Sequence, residues 1–363
     1  MDRLIHRRAF GKASAALGVA SLPVLGVVGQ STATETAETV DAAPALQVRP
    51  YQLMCIVCRI GQGRTDDLDD ARLSEILAAV RCDPIRPVRL CCHSDSVYRY
   101  QNPGRGEDTP EGELFNEKRD LDIIQKLGLV PGDARPAIDM FERLLKNISA
   151  AAGICGYSTA TSEAWQGCAR AASGDYDKGR ALGIHAIIPP REKEDKAQAK
   201  QNSVEAIRQA DPLLIRPHHL MCMSCFHGGK DTLAPIVEDN LFEAIDRVQK
   251  DPDVPIRLVR GCCMICPPCS HYDPKSTLCV GGRSMALRDQ KKDLDVLQRL
   301  GLQYGDTLPA RKLFALLYER IPSTRLVCAW GDGEVRAPEW SICGDPEGKE
   351  SYEKARAANL GIP

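Results

Sequence analysis

The chain repeats itself. Arg49-Pro50-Tyr51-Gln52-Leu53-Met54-Cys55-Ile56-Val57-Cys58 returns as Arg216-Pro217-His218-His219-Leu220-Met221-Cys222-Met223-Ser224-Cys225. The match continues through Val88-Arg89-Leu90 and Cys91-Cys92 against Ile256-Arg257-Leu258 and Cys262-Cys263. Asp120-Leu121-Asp122 and Leu127-Gly128-Leu129 then pair with Asp293-Leu294-Asp295 and Leu300-Gly301-Leu302, and Trp165-x-x-Cys168 pairs with Trp340-x-x-Cys343. A repeat of this length means one structural unit built twice. The 363 residues are enough for two cores, so two related modules are expected.

The rest of the chain divides around that repeat. Residues 1–45 read as an export signal and spacer, 46–190 as a first, degenerate cysteine-rich module, 191–210 as a charged linker, and 211–363 as the second module. The linker holds helix formers and little apolar content, which suits a solvated helix or a flexible tether. Inside each module the periodicity predicts helices over Asp69–Val80, Asn116–Leu127 and Pro136–Ile148, against Pro235–Gln249, Met285–Leu300 and Pro309–Ile321. Short strands are expected at Pro87–Leu90 and Pro255–Arg260. Gly128 and Gly301 stand where left-handed C-caps belong, and Asp133 and Asp306 are candidate N-caps for the following helix. The fold class is therefore α+β and helix-rich, each module having about three helices, a short strand element and a cysteine-rich irregular end. Strand and helix do not alternate as a doubly wound sheet requires.

A formal net charge of −2 gives no basic bias, so no nucleic-acid partner is expected. Near the N-terminus, Arg7-Arg8 with Phe10 precede a weakly apolar stretch from Ala13 to Val28, which resembles a twin-arginine export signal despite His6 before the pair and Gly11 after the Phe. Ser21 and Pro23 interrupt that stretch, which is too short and weakly apolar to favour a spanning helix. The expected destination is periplasmic or otherwise extracytoplasmic, with a membrane contact only through an uncleaved signal. That export route carries proteins already folded.

The chemistry lies in the 16 cysteines. The densest run is Cys262-Cys263-Met264-Ile265-Cys266-Pro267-Pro268-Cys269, followed by Cys279. Thiolates two residues apart close on one metal because the intervening turn brings both sulfurs to one side, and prolines stiffen that turn in advance. Iron–sulfur sites use the same run with a distant cysteine in the fourth position; Cys222 can supply it. The segment from Arg216 to Cys222, with Ile265-Cys266-Pro267-Pro268-Cys269, Cys279 and Leu300-Gly301-Leu302, resembles the cysteine-rich domain-of-unknown-function family 1284. The resemblance implies a four-cysteine cluster or metal site on Cys222, Cys266, Cys269 and Cys279, and implies no known reaction. Cys225, Cys262, Cys263, His218 and His219 are additional candidate ligands.

The cofactor expected is an iron–sulfur cluster, of the four-iron type, or zinc, since four thiolates suit either. The first module has Tyr51-Gln52 in place of the two histidines and lacks the Cys-Pro-Pro-Cys run. Its Cys55, Cys58, Cys91, Cys92, Cys155 and Cys168 are structural or second-site cysteines, as are Cys328 and Cys343. For Cys155 with Cys168, and Cys328 with Cys343, a disulfide or plain structural thiols compete with metal. Arg49 and Arg216 either offset the charge of a cluster or make surface salt bridges, His218 and His219 either orient the site or pack beneath the turn, and Trp165 and Trp340 read as core anchors. The chain has no Gly-x-Gly-x-x-Gly, Gly-x-x-x-x-Gly-Lys, Gly-x-Ser-x-Gly or His-Glu-x-x-His, so no catalytic signature is present. Two functions follow: a metal or iron–sulfur protein acting in electron transfer with a redox partner protein, or a non-catalytic scaffold held by zinc and disulfides.

Overall fold

A computed structural model describes residues 44–92, 109–280, 285–328 and 349–363. Arg7, Arg8, Trp340 and Cys343 lie outside the described residues. In the first half the order is β1 (Leu46–Val48), α1 (Pro50–Gly61), α2 (Ala71–Cys82), β2 (Pro87–Leu90), α3 (Glu113–Leu127), β3 (Ala134–Pro136), α4 (Ala137–Asn147), α5 (Asp175–Leu182) and α6 (Ile184–Ile187). After α7 (Lys193–Gln209) come β4 (Leu213–Ile215), α8 (His219–Gly228), α9 (Leu241–Lys250), β5 (Pro255–Leu258), α10 (Met285–Leu300), β6 (Thr307–Pro309), α11 (Ala310–Arg320) and α12 (Lys349–Ala357). Of the described residues 51% are helical, and they form two small mixed sheets.

The sheets have the same order and pairing. β1 runs parallel to β2 and β2 antiparallel to β3; β4, β5 and β6 do likewise. Leu46 faces Val88 and Val48 faces Leu90, as Leu213 faces Ile256 and Ile215 faces Leu258. Each first strand alternates buried, exposed, buried, so its two apolar side chains enter a core beneath the sheet. One apolar cluster gathers residues from Leu46 to Ile188 and a second gathers residues from Ile207 to Ile362. Both belong to one compact unit, Ala43–Pro363.

Local chemistry sets the element ends. Pro50 opens α1, where its missing N–H costs nothing, and the Gln52 side chain accepts the Arg49 N–H at 2.8 Å. Asp70 caps α2 by accepting the Leu73 N–H at 2.9 Å. Gly128 and Gly301 end α3 and α10 at φ 68° and 69°, a left-handed turn that glycine enters without Cβ strain. Asp133 and Asp306 are not N-caps: each side chain accepts a backbone N–H three residues earlier, from Val130 at 3.1 Å and Gln303 at 2.8 Å, and Pro136 and Pro309 take the cap positions. The expected Pro235–Gln249 helix begins only at Leu241, behind Asp239, whose carboxylate accepts the Leu241 N–H at 2.8 Å.

Two close helix crossings build the frame. α1 packs on α5 and α8 on α12. A Cβ on Gly61 would meet Asp175 O at 1.9 Å and one on Gly228 would meet Ser351 O at 1.8 Å, so hydrogen alone fits at both crossings. A tyrosine ties the second helix of each pair to the end of another: Tyr176 Oη donates to Ile148 O, just past α4, at 3.0 Å, and Tyr352 Oη to Ile321 O, just past α11, at 2.8 Å. The charged linker is helical and anchored on α9, with Lys200 Nζ 2.7 Å from Glu243 Oε1 and Asn240 Nδ2 donating to Ser203 Oγ at 2.7 Å. Among the described residues no helix is long and apolar enough to cross a membrane.

Candidate metal centre

One carboxylate fixes the start of α8. Asp293, on α10, accepts Arg216 Nε at 3.0 Å and Nη2 at 2.7 Å on one oxygen, and the His218 backbone N–H at 2.9 Å and Nδ1 at 2.8 Å on the other. All three residues are buried. Burial pushes the Asp293 carboxyl up, but the hydrogen bond and charge of His218 and then the charge of Arg216 outweigh it and hold the group below its ordinary value. Arg49 makes the matching pair with Asp120 at 2.7 Å, also buried. The repeated arginines are thus neither surface ion pairs nor neighbours of free charge; they clamp one helix start to another helix, and a buried pair of this kind is costly to break.

His218, turned to Asp293, lies edge-on to His219 with ring centroids 4.6 Å apart and planes at 68°. That leaves His219 for the cysteine loop. Its Nδ1 stands 3.2 Å from Cys263 Sγ. Burial first, and then the charge of His218, bring its pKa down to about 4, so the ring is a neutral donor at neutral pH.

The loop itself is a succession of tight turns. Cys266 N–H donates to Cys263 O at 3.0 Å, Cys269 N–H to Cys266 O at 2.9 Å, and Tyr272 N–H to Cys269 O at 3.1 Å. Backbone N–H groups also point at sulfur, from Cys263 to Cys266 Sγ at 3.3 Å and from His271 to Cys269 Sγ at 3.4 Å. Buried Ile265 plugs the loop into the core, and Asn240 Nδ2 holds Met264 O at 2.8 Å. Arg191 reaches across from the end of the first half to the carbonyls of Pro267 and Cys269, with its guanidinium 5.7 Å from the Tyr272 ring centroid.

Hydrogen bonds from the Cys262 and Cys263 thiols pull the Cys266 thiol far below its ordinary value. The same contacts, with burial, push Cys262 and Cys263 up. Of the three thiols, Cys266 is the one whose surroundings favour the thiolate, beside a neutral imidazole. Among the described residues, His219, Cys263 and Cys266 are the group whose ligand atoms all lie within 4.8 Å of one another. An imidazole nitrogen and sulfurs at that separation match the donor set of a soft divalent ion.

The other expected residues are distributed around this group. Cys269 is half-buried one turn further along the loop, and Cys279 returns opposite Tyr272 through an antiparallel bridge, within electrostatic reach of Cys262. Cys222 is half-buried on α8, three residues past His219. Cys225 and Cys328 pack against the second core, both within electrostatic reach of Tyr352. In the first half Cys55, Cys58, Cys155 and Cys168 line one cavity, while Cys91 and Cys92 are buried apart from it, Cys92 within the apolar cluster. Trp165 is half-buried in a short 3₁₀ turn, its ring 6.5 Å from Tyr157, and belongs to neither apolar cluster, so it is not a core anchor.

Sequence reasoning missed the two clamping carboxylates. Their signal was present, because Asp120 and Asp293 occupy matching positions in the repeat, but a repeated aspartate names no partner. Compared with protein-family models, with curated proteins and with solved structures, the chain matches none.

Proposed function

We propose that this is a metal-binding protein whose second half holds a single thiolate-ligated ion on His219, Cys263 and Cys266, with a fourth thiol from the same loop. The meeting of three ligand atoms from two separate segments within 4.8 Å carries this reading. Cys262, whose thiol bonds to Cys266, supplies the fourth donor in this reading. The donor set fits the group: the imidazole is neutral and one sulfur already favours the thiolate, so few protons must leave when a cation enters. Bound there, the ion supplies a cross-link between α8 and a loop with no ladder of its own. The role is structural, and the chain acts as a non-catalytic exported scaffold.

A second reading has its own support. Cys222, Cys262, Cys263, Cys266, Cys269 and Cys279 are more thiols than one ion uses, which favours an iron–sulfur cluster on Cys222, Cys266, Cys269 and Cys279 and a role in electron transfer with a redox partner protein. The matching order of the two sheets supports descent of both halves from one duplicated unit. Arg7-Arg8 and the weakly apolar stretch behind them support export in the folded, loaded state.

Elemental analysis of the full chain, beside the double variant Cys263→Ser/Cys266→Ser, tests the metal site. The expected result is one zinc-type ion fewer per chain in the variant, with its helical content retained. Unchanged metal content would refute the site.

A further inference from the structure

The first half lost both histidines of the repeat, yet it kept four thiols around one cavity. Cys55 and Cys58 lie one turn apart on α1. Cys155 and Cys168 come from the segment between α4 and α5, where the Cys168 N–H donates to Cys155 O at 2.8 Å and brings the two side by side. All four line a cavity of about 470 Å³. None is joined to another: each is a free thiol.

Burial, and then the charges of the neighbouring thiols, push the Cys55 thiol up, and burial with the same neighbours pushes Cys58 up to about 12. Raised in this way these two thiols are neutral, and with Cys155 and Cys168 they present four sulfurs to one half-enclosed space. They make a good ligand set. The wall also holds Arg119, which is 2% exposed, sits 4.2 Å over the Tyr51 ring and has a buried Nε with no hydrogen-bond partner. Its Nη1 is 3.6 Å from Glu111 Oε2, and Arg170 lies on the same cavity. Cys55 and Cys155 both feel the Arg119 charge, and Cys58 that of Arg170. Two guanidiniums are positioned to offset an anionic inorganic group.

The spacing favours a larger group over a single ion. In a tetrahedral zinc site with bonds of about 2.3 Å, the sulfurs are about 3.8 Å apart. The described residues gather three ligand atoms within 4.8 Å only at His219, Cys263 and Cys266, so no three of these four sulfurs approach that closely. A wider ring of four cysteines around a cavity is the ligand set of an iron–sulfur cluster.

We infer that the first half binds an iron–sulfur cluster through Cys55, Cys58, Cys155 and Cys168, each thiol losing its proton to become a thiolate ligand. The two halves would then hold metal centres of different kinds.

The test uses the full chain carrying Cys263→Ser/Cys266→Ser, which removes two ligands of the proposed second-half ion and Cys266 from the second-half cluster reading, and the first-half substitutions separate what remains. After anaerobic reconstitution with ferrous iron and sulfide, this protein should show a brown charge-transfer absorption and about four iron and four acid-labile sulfides per chain, the content of a four-iron cluster. Adding Cys55→Ser/Cys58→Ser, or the single change Cys168→Ser on the surface segment should α1 not tolerate the pair, should lower iron and sulfide at least fivefold. Cys82→Ser, at an exposed position, should leave loading unchanged. Absence of labile sulfide in the parent, zinc in its place, or equal loading after the first-half substitutions would each overturn the inference.

Discussion

Asp120 and Asp293 hold matching positions and respond differently to burial. Asp120 accepts Arg49 Nε at 2.7 Å and the Tyr51 N–H at 3.4 Å; burial raises its carboxyl, and the charges of Arg49 and Arg119 do not recover the loss. Asp293 has a closer backbone donor at 2.9 Å and a second side-chain partner in His218, and its carboxyl falls below the ordinary value. Tyr51 against His218 is the exchange that separates them. The next position repeats the lesson: His219 reaches the cysteine loop, whereas Gln52 folds back to accept its own helix's Arg49 N–H. The Arg49–Asp120 clamp holds a helix start, whereas the Arg216–Asp293 clamp, with His218, also seats the helix whose His219 meets the loop.

The largest effect expected from this comparison is on stability. Asp293→Asn leaves Arg216 and His218 facing an amide and should cost about 3–5 kcal/mol in urea unfolding, as removal of one partner from a buried ion pair does. Asp120→Asn, at a site where burial already disfavours the carboxylate, should cost less than half of that. Equal losses would mean that His218 contributes nothing to the difference.

Next come the helix crossings, where the halves should agree. Gly61→Ala and Gly228→Ala each drive a methyl group into a backbone carbonyl, and each should lower stability by about 1–3 kcal/mol or more. A crossing that tolerates alanine would show that its helices are free to separate.

A smaller effect isolates the orienting role of His218. His218→Ala keeps every proposed ligand but removes the ring that packs edge-on against His219, and loss of such a supporting contact should weaken metal binding about tenfold. Competition with a chromophoric chelator measures it, and the equivalent Tyr51→Ala should leave that affinity unchanged.

The smallest effect is in pH dependence, and its sign differs between halves. Asp293 is lowered in the folded state, so its contribution is present above the ordinary carboxylate value and is lost as pH falls through the folded value. The gap in stability between wild type and Asp293→Asn should therefore narrow on acidification. Asp120 is raised, so the folded state binds its proton first and the gap between wild type and Asp120→Asn should shift in favour of wild type as pH falls. Parallel pH profiles would contradict the contrast.

Local signals made much of the scaffold legible. β2 and α10 begin and end where alternation and periodicity place them, and the left-handed glycines mark the ends of α3 and α10, because each depends on neighbours within a few residues. The clamps were not legible: Arg49 and Asp120 are 71 residues apart and Arg216 and Asp293 are 77, and only the repeat links them. The candidate site was legible in part. Cys-x-x-Cys spacing singled out the loop holding Cys266, but the approach of His219 to Cys263 across 44 residues follows from how Asp293 seats α8. Equally, nothing local brings Cys155 and Cys168 to Cys55 and Cys58; the α1–α5 crossing does.

X-ray absorption at the metal edge, on full-length protein carrying Cys55→Ser/Cys58→Ser so that the second-half centre is seen alone, tests the central claim most directly. A first shell of mixed sulfur and nitrogen, with the nitrogen contribution lost in His219→Ala, is the predicted result. An all-sulfur shell with a short metal–metal distance, unchanged by His219→Ala, would contradict it.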